Sequence, residues 1–496
     1  MVYRGKPGRG CQRCRERKLR CNLLKPTCGA CSRAGAECTG YRDTSALRIS
    51  DQTEAVRCRA LQKRAQGTKT DALSFGSPKK LSLDLQVQAR ELFYAYYVTD
   101  FSRTWDFLLP FLNKTSTPEY LNLSIDAASL AFLHHQTRSG AALDLSHKQY
   151  AAALREMRAA LGSPETAKVA HAMDASLVLD LFEKISNPGV IEPEDVSVAH
   201  VAGSLALIRL RGLSTFRDRA SLQGLTRIAL NAMVTALYRR EPVPEEVVEV
   251  RAYAASFIDT TDPKWRLTGL MIECANLLCT SNKDSMERGE ILRRCMDLDM
   301  RFAQLATDLE KPHRNDIPEI KTERMLEPYY DMTQDRTGTQ MTNVVRLTRI
   351  MLCEEMTQSS GQATTADSLR MHHHAQPIVE EMIRQICTLT PQMTDCKVDT
   401  ARDLSKYPGT QSSGKVPTHT LTHSLDVYII LFSLYVAAWS SFCPPETRSW
   451  ITKEVEYIAD RFGVKQAAMV ATAMKSEKMI GPWQVYQLLG SYAFAA

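Results

Sequence analysis

The chain has 496 residues, of which 44% are hydrophobic and 24% are charged, so it can bury a sizeable core in one large domain or several and has the composition of an ordinary soluble protein. The net charge of +6 is unevenly spread: residues 1–80 contain 19 Lys and Arg against 6 Asp and Glu, a charge of +13, which leaves −7 for the other 416 residues. A basic arm on a mildly acidic body indicates a polyanion bound at one end.

Two features argue against secretion and membrane insertion. The first ten residues, MVYRGKPGRG, are basic and contain no apolar stretch of the kind a secretion signal has, so we expect a chain that is not secreted. The longest apolar run, VYIILFSLYVAA at Val427–Ala438, is shorter than the roughly 20 residues that cross a bilayer. We therefore predict that this run is a buried core helix and that the protein has no membrane partner.

The first motif of the chain is a cluster of cysteines, CQRCRERKLRCNLLKPTCGACSRAGAEC, with the spacing C-x2-C-x6-C repeated after an offset of 17 residues. Its members are Cys11, Cys14, Cys21, Cys28, Cys31 and Cys38. In a chain that is not secreted, clustered cysteines indicate metal ligands rather than disulfides. Since residues 1–133 contain no histidine, sulfur is the only soft ligand available. Zinc takes four thiolates, so six cysteines fill one site with two left over, or two sites that share two sulfurs; the repeat favours the second.

The two halves of the repeat differ in charge. The first half carries Arg13, Arg15, Arg17, Lys18 and Arg20, whereas the second carries only Arg33. We predict a short helix after Cys14 that directs these cations to one side. Lys and Arg donate to guanine O6 and N7 in the major groove of DNA, and neighbouring cations bind phosphates.

The cluster resembles the fungal binuclear zinc-cluster transcription factors. The likeness covers the cysteine spacing, the basic run from Arg15 to Arg20 and a proline, Pro26, two residues before the fourth cysteine. The resemblance implies two zinc ions per chain. In that family the first and fourth cysteines bridge the ions, here Cys11 and Cys28. Cys14 and Cys21 then complete one ion, and Cys31 and Cys38 complete the other.

The same resemblance implies a DNA contact. In the family, a lysine followed by a leucine lies shortly before the third cysteine, and this lysine contacts a CGG triplet. Lys18 occupies this position. Arg17 is a second candidate for a base contact. The candidates for phosphate contacts are Arg13, Arg15, Arg20 and Lys25. For Arg13 and Lys25, a solvated surface cation is an equal alternative.

Other cysteine-rich modules fit less well. A RING or LIM module needs eight ligands, and a three-disulfide knot needs secretion. A metallothionein-like buffer has denser cysteines and no reason to place cations on one half. We therefore assign residues 1–42 to a small DNA-binding zinc cluster with two short helices.

Residues 43–80 are predicted to be a linker. Asp51, with Glu54 three residues later, indicates a short helix that Gly67 ends. The apolar heptad pattern is too weak for a coiled coil, so a monomer and a homodimer both remain open.

From about residue 81 to 496, apolar residues recur every three or four positions, which predicts a large all-α domain. Ser146 is the expected start of one helix, with Leu154, Met157 and Leu161 on its apolar face, and Gly212 is the expected stop after VSVAHVAGSLALIRLRG. The further predicted helices are 85–101, 164–186, 221–238, 245–257, 266–278, 291–309, 344–355, 377–389, 421–441 and 450–462. No run shows strand alternation, and residues 311–340 and 396–420 are predicted to be loops.

This body resembles the helical regulatory domain of many fungal zinc-cluster factors, through the segments HAMDASLVLDLFEKISNP and VAHVAGSLALIRLRG and the last segments of the chain. The whole sequence therefore predicts a mainly α protein that is located in the nucleus. It is predicted to regulate genes transcribed by RNA polymerase II by binding CGG-type half-sites in double-stranded DNA. Transcriptional co-regulators are further candidate partners. The alternative is an effector-sensing or interaction scaffold in which the body is the functional part. No Walker, GxSxG, GxGxxG or HExxH motif occurs, so an enzyme is not expected.

Overall fold

The computed structural model describes residues 10–41, 84–101, 103–112, 117–162, 169–186, 196–281, 287–309, 313–316, 325–333, 336–360, 366–394, 421–476 and 478–489. The chain divides into two compact units, Met1–Lys80 and Leu81–Ala496. The helix predicted between Asp51 and Gly67 lies outside the described residues. The fold is mainly α, as predicted.

The first unit contains two short helices, α1 (Gln12–Glu16) and α2 (Gly29–Arg33). Each helix begins directly after a cysteine, Cys11 or Cys28, whose backbone is extended. The prediction of a helix after Cys14 was wrong in its position, because α1 begins before Cys14 and ends before Lys18. Cys14 lies inside the helix, and its sulfur is directed into the module, where the residue is buried.

The second unit begins with α3 (Leu85–Leu92), which continues into a π-helix (Phe93–Phe101) and a 3-10 helix (Arg103–Phe111). The helices that follow are α4 (Glu119–Thr137), α5 (Gly140–Leu161), α6 (Val169–Ser186), α7 (Val196–Arg211), α8 (Arg219–Arg239), α9 (Glu245–Ala254), α10 (Pro263–Ser281) and α11 (Arg288–Asp308). After two strands, β1 (His313–Asp316) and β2 (Tyr329–Met332), come α12 (Arg336–Ser359), α13 (Ala366–Thr394), α14 (Leu421–Trp439), α15 (Pro445–Phe462), α16 (Lys465–Met474) and α17 (Pro482–Leu489).

Helix α14 lies at the centre of this unit. It packs against α12, α13, α15, α16 and α17, and every residue of Val427–Ala438 is buried. A helix that is apolar on all sides belongs inside a protein core, which explains the longest apolar run of the sequence. Across the described ranges, no helix has both the length and the apolar character that a bilayer crossing requires.

Several helix ends confirm or correct the sequence analysis. Helix α7 ends at Gly212, whose φ of 80° places it in the left-handed region that glycine adopts most readily. Ser146 does not cap a helix: α5 begins six residues earlier, where the Ser139 hydroxyl accepts from the Ala142 N–H at 3.3 Å. The face predicted for α5 is also wrong in part, since Leu154 and Leu161 are exposed.

The segment 311–340, which was predicted to be a loop, contains an antiparallel hairpin. In it His313 pairs with Met332 and Asp316 with Tyr329. Each strand has only four residues, and β1 is entirely polar, so neither gives the alternation that identifies a strand in a sequence. Helix α12 also begins within this segment, at Arg336.

One histidine and the described cysteines of the body make contacts within its packing. The ring of His135 lies beside Tyr428 and Gln466, at 3.1 Å and 2.8 Å, and burial lowers its pKa to about 4. The described cysteines of the body are all buried: Cys274, Cys279, Cys295, Cys353, Cys387 and Cys443. Cys58 and Cys396 lie outside the described residues.

A buried ion pair joins α11 to α12, and its removal tests the packing of the body. Arg349 donates to Asp299 through Nε at 2.7 Å and Nη2 at 3.2 Å, with both side chains largely buried. Asp299→Ala leaves a buried guanidinium without its carboxylate, so we expect a loss of about 3–5 kcal/mol in the free energy of unfolding. The measurement is urea unfolding followed by circular dichroism.

An exposed arginine–carboxylate pair with two hydrogen bonds provides the control. Arg301 donates to Glu273 at 2.5 and 2.6 Å, but both side chains are more than two-fifths exposed. Glu273→Ala should therefore cost about 1 kcal/mol or less. Equal losses for Asp299→Ala and Glu273→Ala would contradict the importance of burial for the first pair.

Candidate functional site

The six cysteine sulfurs of the first unit form two overlapping groups of four. One group is Cys11, Cys14, Cys21 and Cys28, and the other is Cys11, Cys28, Cys31 and Cys38; in each, all four sulfurs lie within 4.8 Å of one another. Cys11 and Cys28 belong to both groups. The structure thus brings together all six cysteines that the sequence predicted.

The distances between the sulfurs fit zinc. With Zn–S bonds of about 2.3 Å, tetrahedral coordination places neighbouring sulfurs about 3.8 Å apart. The Sγ–Sγ distance is 3.7 Å between Cys11 and Cys28, which both groups share. It is also 3.7 Å from Cys14 to Cys28 in the first group and from Cys11 to Cys31 in the second. Both groups can therefore each hold one ion.

Backbone N–H groups stabilise the thiolates of Cys21 and Cys38, two of the four cysteines that the two groups do not share, whereas burial raises the pKa of a third, Cys14, to about 11. Hydrogen bonds from the backbone of Cys11 and Leu23 lower the pKa of Cys21 to about 7. At the equivalent place of the second half, backbone hydrogen bonds from Cys28 and Gly40 lower the pKa of Cys38. The 17-residue repeat thus preserves the hydrogen bonds to sulfur as well as the cysteine positions. Zinc binds thiolates, so this environment favours metal binding.

The end of α1 positions Lys18. The Lys18 N–H donates to the Arg15 carbonyl at 3.3 Å, and the Leu19 N–H donates to the Cys14 carbonyl at 2.8 Å. This pair of bonds is a Schellman motif, in which the residue after the C-cap takes the left-handed conformation. That residue is Lys18, with a φ of 54°. Its side chain is exposed just beyond the helix end.

The second half has the same motif with a glycine. The Gly35 N–H donates to the Ser32 carbonyl and the Ala36 N–H to the Cys31 carbonyl, both at 3.1 Å. Gly35, which is 17 residues after Lys18, has a φ of 57°. A left-handed conformation costs a residue with a side chain about 1–2 kcal/mol, and glycine avoids that cost. The first half therefore accepts backbone strain to carry a lysine at this position.

A second left-handed position follows the same rule. Leu23 has a φ of 61°, and its repeat partner Gly40 has a φ of 82°. The Leu23 side chain is 44% exposed. At both left-handed positions, the first half carries an exposed side chain and the second half carries none.

The predicted DNA-contacting residues are not equivalent in the structure. Arg17, Lys18, Arg20 and Lys25 are exposed, which leaves their charges accessible. Arg13, in contrast, is half-buried, and its Nη1 lies 3.8 Å from the Cys31 sulfur as a donor. Arg15 and Arg13 are the two half-buried members of the set.

Two contacts between the halves were missed by the sequence analysis. The Asn22 side chain accepts a hydrogen bond from the Gly29 N–H at 2.9 Å, and the Tyr41 hydroxyl donates to the Leu24 carbonyl. A Cβ atom on Gly29 would lie 2.8 Å from the Asn22 amide nitrogen, so a larger residue there would displace the side chain that accepts this hydrogen bond. Neither contact has a signature in the spacing of the cysteines.

Residues 9–47 match the family model of the fungal Zn(2)-Cys(6) binuclear cluster domain. This part of the chain is a zinc-cluster domain. Such a domain holds two zinc ions and belongs to DNA-binding transcription regulators, which are not enzymes and are typically nuclear. Neither a curated protein nor a solved structure matches the chain.

The contrast between Arg13 and Arg20 gives a test within this zinc-cluster domain. Arg13→Ala removes a hydrogen bond to a sulfur, and the loss of such outer contacts weakens metal binding by about 10–100-fold. Arg20→Ala leaves zinc in place but removes one exposed cation. The slope of log K against log salt for DNA binding should then fall by about 0.9.

Chelator competition measures the first effect, and DNA titrations at several salt concentrations measure the second. Arg33→Ala, which removes the lone cation of the second half, is the control and should change neither quantity. Equal zinc affinities in the Arg13→Ala and Arg20→Ala variants would show that Arg13 does not support the cluster.

Proposed function

We propose that the protein is a sequence-specific DNA-binding regulator of genes transcribed by RNA polymerase II and that its zinc cluster recognises CGG-type half-sites. The observation that carries this proposal is the conformation and exposure of Lys18. This residue is held in a strained conformation at a helix end where the repeat has Gly35, and its charge is exposed. Strain of this kind persists at functional positions. The proposed location is the nucleus.

The proposed ligand assignment follows the two groups of sulfurs. Cys11 and Cys28 bridge the ions, Cys14 and Cys21 complete the first ion, and the second ion takes the remaining pair, Cys31 and Cys38. This arrangement uses each sulfur once or twice and gives each ion four ligands. Its purpose is to fix the relative position of α1 and the backbone that follows it.

The proposed base contact is made by Lys18, with Arg17 as the second candidate. The ammonium group of an exposed lysine beyond a helix end can enter the major groove and donate to guanine O6 and N7. Arg15, Arg20 and Lys25 are proposed to bind phosphates, which fixes the register of the module on the duplex. For Arg13 the contact with Cys31 supports a role within the cluster instead.

The direct test is selection of bound sequences from random DNA duplexes with the full-length, zinc-loaded protein. We expect enrichment of CGG triplets. Their number, spacing and orientation in each selected duplex distinguish a monomer from a homodimer, since a dimer selects two half-sites at fixed spacing. Enrichment of an unrelated sequence, or of none, would contradict the proposed specificity.

The helical body is proposed to be the regulatory domain that controls this module and contacts transcriptional co-regulators. The alternative function, in which the body senses an effector, is favoured by one observation. The body contains a cavity of about 280 Å³ between α8, α9 and α10, large enough for a small molecule. A thermal-shift screen on the full-length protein tests whether any effector acts on the body.

A further inference from the structure

The cavity between α8, α9 and α10 has an unusual balance of charge. Its walls are largely apolar, from residues such as Val247, Val250 and Ile272, and three cations, Arg227, Arg251 and Lys264, also line it. The volume of about 280 Å³ is almost twice that of a 150 Å³ cavity that holds benzene. An apolar cavity with a cationic lining is complementary to a small organic anion.

The cavity has one carboxylate, that of Asp262, and this group serves the start of α10. Its Oδ1 accepts from the backbone N–H groups of Lys264 at 2.8 Å and of Trp265 at 3.2 Å, and the residue is exposed. No described side chain makes a hydrogen bond or an ion pair with Nζ of Lys264. Burial, and then the charge of Arg227, lower the pKa of Lys264 to about 8, so a nearby anion would stabilise its charged form.

A second, smaller cavity adjoins the first. It has a volume of about 60 Å³, and Leu230, Lys264 and Thr268 line both cavities. The smaller cavity is also lined by Gln340, a residue only 4% exposed, whose Nε2 is buried without a hydrogen-bond partner in the described part of the chain. A buried donor without a protein partner is costly, so an acceptor, either a water molecule or a ligand, is expected beside it.

The position of Arg251 shows that the lining is built rather than incidental. Its guanidinium donates to the Trp265 carbonyl at 2.8 Å and lies 4.0 Å from the centre of the Trp265 ring. Gly269 provides the space beside it, because a Cβ atom there would lie 2.7 Å from Nη2 of Arg251. The cation is thus fixed at the wall of the larger cavity.

We propose that the two cavities together bind a small amphipathic carboxylate. The carboxylate lies where the two cavities meet, beside Lys264, which lines both, so that Lys264 Nζ and Gln340 Nε2 donate to it. The apolar part lies in the larger cavity between Val247, Val250 and Ile272. The ligand class is therefore aryl- or alkyl-alkanoic acids of about twelve non-hydrogen atoms, twice the size of benzene. This site does not depend on the DNA specificity proposed above.

A panel of arylalkanoic and alkanoic acids of this size, each paired with its carboxamide, tests the proposal. Binding to the full-length, zinc-loaded protein is measured by calorimetry and by ligand-observed NMR. We expect members of the acid series to bind and their amides, which have the same shape without the charge, to bind at least about tenfold more weakly. Equal binding of acid and amide, or no binding by any acid at millimolar concentration, would overturn the site.

Two variants assign the donors. Lys264→Met keeps the length of the side chain and should abolish the preference for acid over amide. Lys148→Met removes an exposed lysine of α5 that lines neither cavity and should leave the preference unchanged. Gln340→Leu should weaken acid binding several-fold without lowering the Tm of the free protein, because no hydrogen bond is lost. A preference for acids that persists in Lys264→Met contradicts the proposal.

Discussion

Replacing Cys28 with serine is expected to remove both zinc ions and to abolish DNA binding. The Cys28 sulfur belongs to both groups of four, so its loss leaves each ion with three thiolates. The residue is buried, and its sulfur also accepts from the Cys31 N–H at 3.4 Å at the start of α2. In small metal-bound modules metal binding and folding are one equilibrium, so the module should unfold rather than adjust. The measurement is zinc per chain by elemental analysis.

A cysteine that belongs to one group gives the matched comparison. Cys38→Ser should leave the first group complete, so that variant should retain at least one zinc ion per chain. Cys443→Ser, which changes a buried cysteine of the body, controls for the substitution itself and should keep two. Equal zinc contents in the Cys28→Ser and Cys38→Ser variants would show that Cys28 does not bridge the ions.

The metal centre could be predicted from the sequence because its geometry is local. All six ligands lie within 28 residues, from Cys11 to Cys38, and the repeat allows few arrangements of the chain. The asymmetry of charge was also visible. The spacing of the cysteines could not predict the position of α1, because the helix begins at Gln12, directly after Cys11, without the side-chain cap that would mark a helix start in the sequence.

The role of Arg13 was hidden for a similar reason. In the sequence it is one of five cations in the first half, and nothing distinguishes it from Arg20. Only the folded module brings its guanidinium to the Cys31 sulfur, 18 residues away. Contacts between residues distant in sequence are set by tertiary packing, which periodicity and spacing do not encode.

In the body, helices with a clear apolar face and a strong stop signal were predicted best. The helix that ends at Gly212 is an example, because a glycine in the left-handed conformation ends helices independently of the rest of the fold. Ser139 and Ser146 were equally plausible starts for α5 by residue type. In the folded body the helix is capped by the earlier residue, Ser139, and the Ser146 hydroxyl instead donates to the Leu143 carbonyl within the helix.

The cavity in the body could not be predicted at all. Its cations come from three helices: Arg227 from α8, Arg251 from α9 and Lys264 from α10. Each occurs in the sequence as an ordinary charged residue of an amphipathic helix. Their convergence on one apolar space depends on how the three helices cross, which is a property of the folded body.

Substitution of Lys18 should separate DNA specificity from the integrity of the metal centre. Lys18→Ala removes the proposed base contact, and a good contact of this kind contributes about 1–3 kcal/mol of discrimination against the wrong base. We expect the preference for CGG over a scrambled duplex to fall by about 10–100-fold, while two zinc ions per chain remain. Competition between the two duplexes measures the preference.

Lys18→Gly tests the strain at the same position. The glycine variant should lose the preference for CGG, as the alanine variant does. Glycine adopts the left-handed conformation without the steric strain of a side chain, as Gly35 does in the second half. The zinc module of Lys18→Gly should therefore be more stable than that of Lys18→Ala by about 1 kcal/mol, measured as resistance to a zinc chelator. A retained preference for CGG in both variants would exclude Lys18 as the base-contacting residue. Equal stability of the two variants would mean that the backbone, rather than the lysine, tolerates this conformation without strain.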